Sequence, residues 1–147
     1  MEITLTVTKN DVYEEVAKTT EYTGKKMDDE HAYEVVSTTE EDSEMLDRFW
    51  DESKDVACNH LKKFFVSEQG DDTWELKLCV SSAFDDNLTA SMQRSLFSFF
   101  VMNIIAKWYT IANKSEAVGY ATEAATCMES VMRRACYKKK PERPTYS

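Results

Sequence analysis

Cysteine and histidine are the scarce reactive side chains of this 147-residue chain, four and two in number, and their spacing decides what they could do together. Cys58 and His60 stand two apart in a stretch of helical periodicity. At ~100° per residue their side chains diverge by about 200°, so the two cannot chelate one metal ion. They read as a core thiol and a histidine at the core boundary. His31 sits beside Asp28, Asp29 and Glu30. Those oxygens could hold a hard cation weakly, but the cluster reads as a solvated charge run. Cys58, Cys79, Cys127 and Cys136 are widely spaced and read as reduced thiols of the core rather than disulfide partners. No Gly-x-Gly-x-x-Gly, phosphate loop, Gly-x-Ser-x-Gly or His-Glu-x-x-His motif occurs. With the histidines in different segments and no glycine-rich turn beside a Ser or Cys, no nucleophile can be matched to a base. The expectation is a protein that is not an enzyme and needs neither cofactor nor metal.

The basic side chains suggest a different chemistry, that of docking. Residues 133–147 hold six cations, Arg133, Arg134, Lys138, Lys139, Lys140 and Arg143, against Glu142 alone, a net +5. The whole chain carries −9, which leaves −14 on residues 1–132. Such a charge dipole suits a part that docks onto copies of itself or onto another acidic surface. Part of this cationic cluster can be explained as a helix C-terminus complemented by positive charge. The remainder reads as an extended basic tail over 138–147, kept open by Pro141 and Pro144, with Tyr146 able to anchor in a neighbour's pocket.

Positioning these groups requires mostly helices. Three Gly and two Pro leave few sites for the tight turns of an all-β fold. The length and a 42% hydrophobic content fit a single helical domain over 1–137. Helices are expected near 9–26, 39–65, 88–111 and 114–137. The first starts at Thr8 with Val7 and Val12 as a hydrophobic staple. The second starts at Thr38 or Thr39 ahead of three acidic residues, after a loop over 27–37. Its inner stripe is Leu46, Phe49, Trp50, Ser53, Ala57, Leu61 and Phe64.

The third helix is apolar on two faces, with Leu88, Met92, Leu96, Phe99, Phe100, Ile104, Trp108 and Ile111 thickened by Phe97, Val101 and Ile105. Arg94 and Lys107 bracket it too closely for a membrane span. Phe97, Phe100, Val101, Ile104 and Trp108 are the candidate core or interface residues. The fourth helix starts at Asn113, paired with Glu116, and carries a stripe of small residues: Ala117, Tyr120, Ala121, Ala124, Ala125, Met128, Val131, Met132 and Ala135. Between the second and third helices, Trp74, Leu76, Leu78 and Val80 alternate with polar neighbours. With the turn at Gln69-Gly70-Asp71-Asp72 they predict a β-hairpin over about 64–82, to which Ile3, Leu5 and Val7 could add an edge strand. The fold class is mainly α, a bundle of about four helices with a small hairpin. The N-terminus lacks a basic region followed by an apolar one, as in a secretory signal, so synthesis for the cytosol is expected.

Two stretches carry a family resemblance. Thr39-Glu40-Glu41-Asp42-Ser43-Glu44-Met45-Leu46, followed by Phe49, Ala57, Leu61 and Phe64, resembles the acidic-start helix of the head-tail connector (adaptor) proteins of tailed bacteriophages. The apolar helix 88–109 ending in Lys-Trp-Tyr, followed by the small-residue helix ending in Met132-Arg133-Arg134-Ala135-Cys136-Tyr137-Lys138, is similar to a helix pair of that family. The resemblance covers about 38–66 and 88–140; the N-terminal helix and the Trp74 hairpin have no counterpart in it. It implies a structural virion protein made in the host bacterial cytoplasm. About a dozen copies would form a ring at the head–tail junction, bound to the portal and other neck or tail proteins. Genomic DNA would pass through without specific binding, and no membrane would be involved. A stopper or tail-completion protein of the same junction is the neighbouring alternative. A small helical regulator, capturing a partner helix in a groove lined by Phe97, Val101 and Trp108, is the other.

Overall fold

The computed structural model describes residues 1–26 and 42–138. Strand β1 (Glu2–Thr8) leads directly into helix α1 (Lys9–Lys26), and helix α2 (Ser43–His60) is followed by the hairpin β2 (Phe65–Gln69) and β3 (Thr73–Cys79). A 3-10 turn, Asp86–Leu88, opens onto the long helix α3 (Thr89–Ala112), and α4 (Lys114–Ala135) is the last described helix. The fold is mainly helical with a small antiparallel sheet, as the patterns predict. The sheet has three strands in the order β1-β3-β2. Ile3, Leu5 and Val7 lie opposite Leu78, Leu76 and Trp74, so every inward residue of β1 meets an inward residue of β3.

Helix α3 is the axis of the core. Ten of its residues, from Met92 to Tyr109, are buried, among them Phe100, Val101, Ile104 and Trp108, which are therefore core residues. Phe97 is half-buried against the same core. The segment Asp86–Ala112 is long and apolar enough, at a mean hydropathy of 1.3, to cross a membrane; here α1, α2, α4 and β1 pack around it. Phe100 lies 4.8 Å from the Trp50 ring of α2 and 5.4 Å from the Trp74 ring of β3. Three elements distant in sequence thus meet on one ring.

Several expected boundaries move. Helix α2 stops at His60 rather than 65: Leu61, Lys62 and Phe64 close tight backbone turns, and Phe64 then passes its carbonyl to Cys79 N–H to start the hairpin. The chain must reverse there to reach β3. The expected caps at Thr38 and Thr39 and the loop over 27–37 lie outside the described residues. At α4 the Asn113 carboxamide oxygen accepts from the Ser115 hydroxyl at 2.8 Å rather than forming the expected cap, while Glu116 N–H bonds the Asn113 carbonyl. Ile111, expected inside, is 62% exposed, because α3 reaches past the elements that cover it and ends one residue later.

The hairpin turn depends on Gly70, whose φ of +86° is left-handed; a Cβ there would lie 2.1 Å from the Thr73 carbonyl oxygen. Gly70→Ala is therefore expected to destabilise the protein by about 1–3 kcal/mol, read from denaturant midpoints. An unchanged midpoint would show that the turn relaxes without strain.

Candidate functional site

The densest polar constellation was not foreseen from sequence. Lys9 and Tyr13 of α1, Asp47, Asp51 and Lys54 of α2, and Asp71 of the hairpin turn converge from three segments. Tyr13 Oη donates to Asp47 Oδ1 at 2.5 Å, and Lys9 Nζ lies 3.0 Å from the same oxygen. Lys9 and Lys54 reach the two oxygens of Asp71 at 3.3 and 3.4 Å, and Lys54 also meets Asp51 at 3.1 Å. Burial opposes the charge on Lys9 and Lys54, but their carboxylate partners outweigh it and hold both ammoniums above the usual lysine range. Burial also opposes ionisation of Asp47, but the Tyr13 and Lys9 hydrogen bonds bring its carboxyl below the usual range. Asp71 is lowered chiefly by its bond to Lys9. Burial, with Asp47 beside it, pushes the Tyr13 phenol well above its ordinary value. A phenol held neutral and carboxylates held ionised by lysines are poor proton carriers near neutrality. The cluster acts as a clasp joining α1, α2 and the hairpin, and no short-range sequence signal could have shown it.

The residues first singled out for chemistry are apart. His60 is exposed at the end of α2, and Cys58 is half-buried rather than in the core. The Cys58 thiol donates to Glu68 Oε2 of β2 at 2.7 Å, and burial together with that carboxylate pushes it up to about 12. Cys127 is half-buried and also raised, by burial and then by Glu123. Cys79 and Cys136 are exposed; all four thiols are free, and none is fully buried. Among the described residues no group of three or more His, Cys, Asp or Glu is placed to hold a metal ion. The His31 cluster lies outside them.

Of the candidate docking residues, Arg133 is exposed and pairs with Glu129 at 2.6 Å. Arg134 is half-buried and donates to the hydroxyls of Ser95 and Ser130. Lys138 is exposed, with its backbone in an antiparallel bridge to Phe84. Lys139, Lys140, Arg143 and Tyr146 lie outside the described residues. Val101 and Trp108 are buried, so they and Phe97 form no open groove. Phe97 instead lines a shallow hollow with Thr6, Gln93 and Arg94.

The open groove is elsewhere. Helix α4 packs along α3 but touches α2 only slightly, and α3 forms the floor between them. Ala124, Met128, Val131 and Ala135 of the small-residue stripe are buried; Ala121, Ala125 and Met132 face solvent, joined by Val118 at 72% exposure. A hollow of about 390 Å³ lies there, lined by Val56, Phe99, Ala121, Ala125, Met128 and Met132. At its far end, His60, Lys63, Phe64, Arg133, Cys136 and Tyr137 form a second hollow where α2 and α4 end. The signal was present in the sequence, as a stripe wider than one neighbouring helix can cover.

Compared with known proteins, the chain matches no protein-family model, no curated protein and no solved structure.

Two measurements check these assignments. Asp47 and Asp71 are lowered, so their contribution is present above about pH 4 and lost as pH falls through their folded values; Lys9 and Lys54 are raised, so theirs is present below about pH 10 and lost as pH rises further. Asp47→Asn should lower the melting temperature at pH 7 and flatten its acid decline; superimposable pH profiles would remove the clasp from the stability account. Thiol labelling of the native protein at pH 7.5 should modify Cys79 and Cys136 first and Cys58 and Cys127 slowly. Fast labelling of Cys58, read by peptide mass, would contradict its bond to Glu68.

Proposed function

We propose that the chain is a non-enzymatic structural protein of the head–tail junction of a tailed bacteriophage, about a dozen copies forming a ring at the portal and leaving a channel for DNA. The observation that carries this reading is the uncovered apolar side of α4, which ends at the basic corner where α2 and α4 finish. A chain that leaves Val118 and Met132 in water beside a groove has a face suited to another protein of an assembly. The acidic remainder of the chain supports the channel, since DNA slides more freely past acidic or neutral walls than past a basic band. The family resemblance supplies the place of assembly, with a stopper or tail-completion protein of the same junction as its close variant. The groove also favours a second reading, a helical regulator that binds a partner helix, although not through Phe97, Val101 and Trp108.

Electron microscopy of the purified protein, with and without a portal ring, tests the proposal. Rings or portal-bound annuli are expected; a protein that stays monomeric and ignores the portal would overturn it. Removing residues 139–147 should leave the melting temperature within about 2 °C while abolishing incorporation. Incorporation of the full chain should also weaken as salt approaches 1 M, where the Debye length is about 3 Å. Full incorporation of the truncated chain would take the tail out of the mechanism.

A further inference from the structure

We infer that the groove between α2 and α4 seats an acidic amphipathic helix presented by a partner protein. This rests on reading the α4 side as an assembly face and names what that face takes. The groove is continuous. Its middle shares Asn103 and Ala121 with a third hollow beside Lys107, and shares His60 and Met132 with the basic hollow at the other end. From Ala117 to Ala135 it follows 19 residues of helix, or ~28 Å at 1.5 Å per residue, and ends on Cys136 and Tyr137. Its middle has α2 and α4 as walls and α3 as floor, the hollow beside Lys107 is lined by α3 and α4, and the basic hollow by the ends of α2 and α4. A helix of four to five turns fits such a trough, entering with apolar side chains at helical spacing.

The charge of the lining selects the occupant. Lys107, Lys63 and Arg133 line the three hollows, and Glu129 is the sole acidic residue among them. Glu129 is held by Arg133, while Lys107 pairs at 2.9 Å with Glu52 on α2. His60 lies in the basic corner, with Lys62 and Lys138 exposed on the residues that flank it. In a chain of net charge −9 this is a local excess of positive charge around an apolar floor. Its complement has an apolar stripe and acidic flanks.

Two other occupants fit less well. The corner holds the C-termini of α2 and α4, whose carbonyl ends repel phosphate, and the apolar lining of Val56, Phe99 and Met128 offers a phosphate nothing. A second copy would have to supply an acidic helix with a free apolar face. Among the described side chains, α1 up to Glu21 exposes no large apolar one, α2 and α3 expose one each, and the exposed apolar side of α4 is itself the wall.

The probes are two synthetic 18-residue amphipathic helices, one with a leucine stripe flanked by glutamates and one with lysine at each glutamate position. Each is titrated into the full chain carrying methyl-labelled methionine. The glutamate helix should shift the Met128 and Met132 methyl signals and leave Met92, inside the core, and Met45, on the first turn of α2, unmoved. At low salt the lysine helix should bind about tenfold more weakly. Ala121→Glu, at an exposed position, should abolish the shifts. Lys63→Glu should weaken the glutamate helix about threefold. Thermal melts establish that both variants fold, and Lys63→Glu keeps the test alive if Ala121→Glu does not. Equal binding of the two helices, no shift at Met132, or shifts that survive Ala121→Glu would overturn the inference. So would the same shifts from inorganic phosphate, or self-association of the chain that Ala121→Glu abolishes, which would give the groove to a second copy. Rings on the portal formed by Ala121→Glu at full efficiency would overturn the groove while leaving the ring reading in place.

Discussion

A helix that is apolar around most of its circumference cannot remain in water, and most of this architecture follows from enclosing α3. Leu96, Phe100, Ile104 and Tyr109 are all fully buried, and no single neighbour could cover the faces they and Phe99, Val101 and Ile105 occupy. One helix partner shields only a narrow stripe, so several elements must divide the surface. Strand β1, α1, α2 and α4 each pack against α3, and β3 reaches it through Trp74. Phe100, between the rings of Trp50 and Trp74, is where α2 and the sheet meet the axis. The polar clasp then fixes their outer rims: Asp71 ties the hairpin turn to α1 and α2 beyond the reach of the aromatic contacts.

Sequence periodicity exposed this architecture because its cause is periodic. The alternation at Trp74, Leu76 and Leu78, and the matching one at Ile3, Leu5 and Val7, specified two strands whose inward residues pair. The uninterrupted apolar helix specified the axis. Strand β2 was visible only through the turn at Gly70, since all five of its residues are exposed and carry no inward pattern. The clasp was invisible, because Lys9, Asp47 and Asp71 are brought together by tertiary packing rather than by spacing. Cys58 was placed in the core on residue type alone; its environment is set by Glu68, which a different element delivers.

The groove was half legible, for a related reason. A hydrophobic pattern records which residues prefer to leave water, without recording whether the same chain supplies their cover. On α4 the stripe read from sequence covered two angular sectors. One, through Ala124, Met128, Val131 and Ala135, meets α3. The other, through Ala121, Ala125 and Met132, looks toward α2 and finds too little of it. The wider stripe was correct as a preference and incomplete as a map of contacts.

Charge placement links the two halves of the molecule. Helices α2 and α4 both end with basic residues, His60 followed by Lys62 and Lys63 on one and Arg133 with Arg134 on the other, as helix dipoles favour. Because the two ends meet at one corner, a local device for finishing helices becomes a positive surface at the mouth of an apolar groove. Arg134 is the exception that supports this account: its guanidinium is spent on Ser95 and Ser130, fastening α4 to α3 and holding the groove's wall in place. The chain as a whole carries −9, so this corner is a place where the sign of the surface is reversed. In the proposed docking, a partner's acidic residues meet that corner while its apolar side chains lie along the floor.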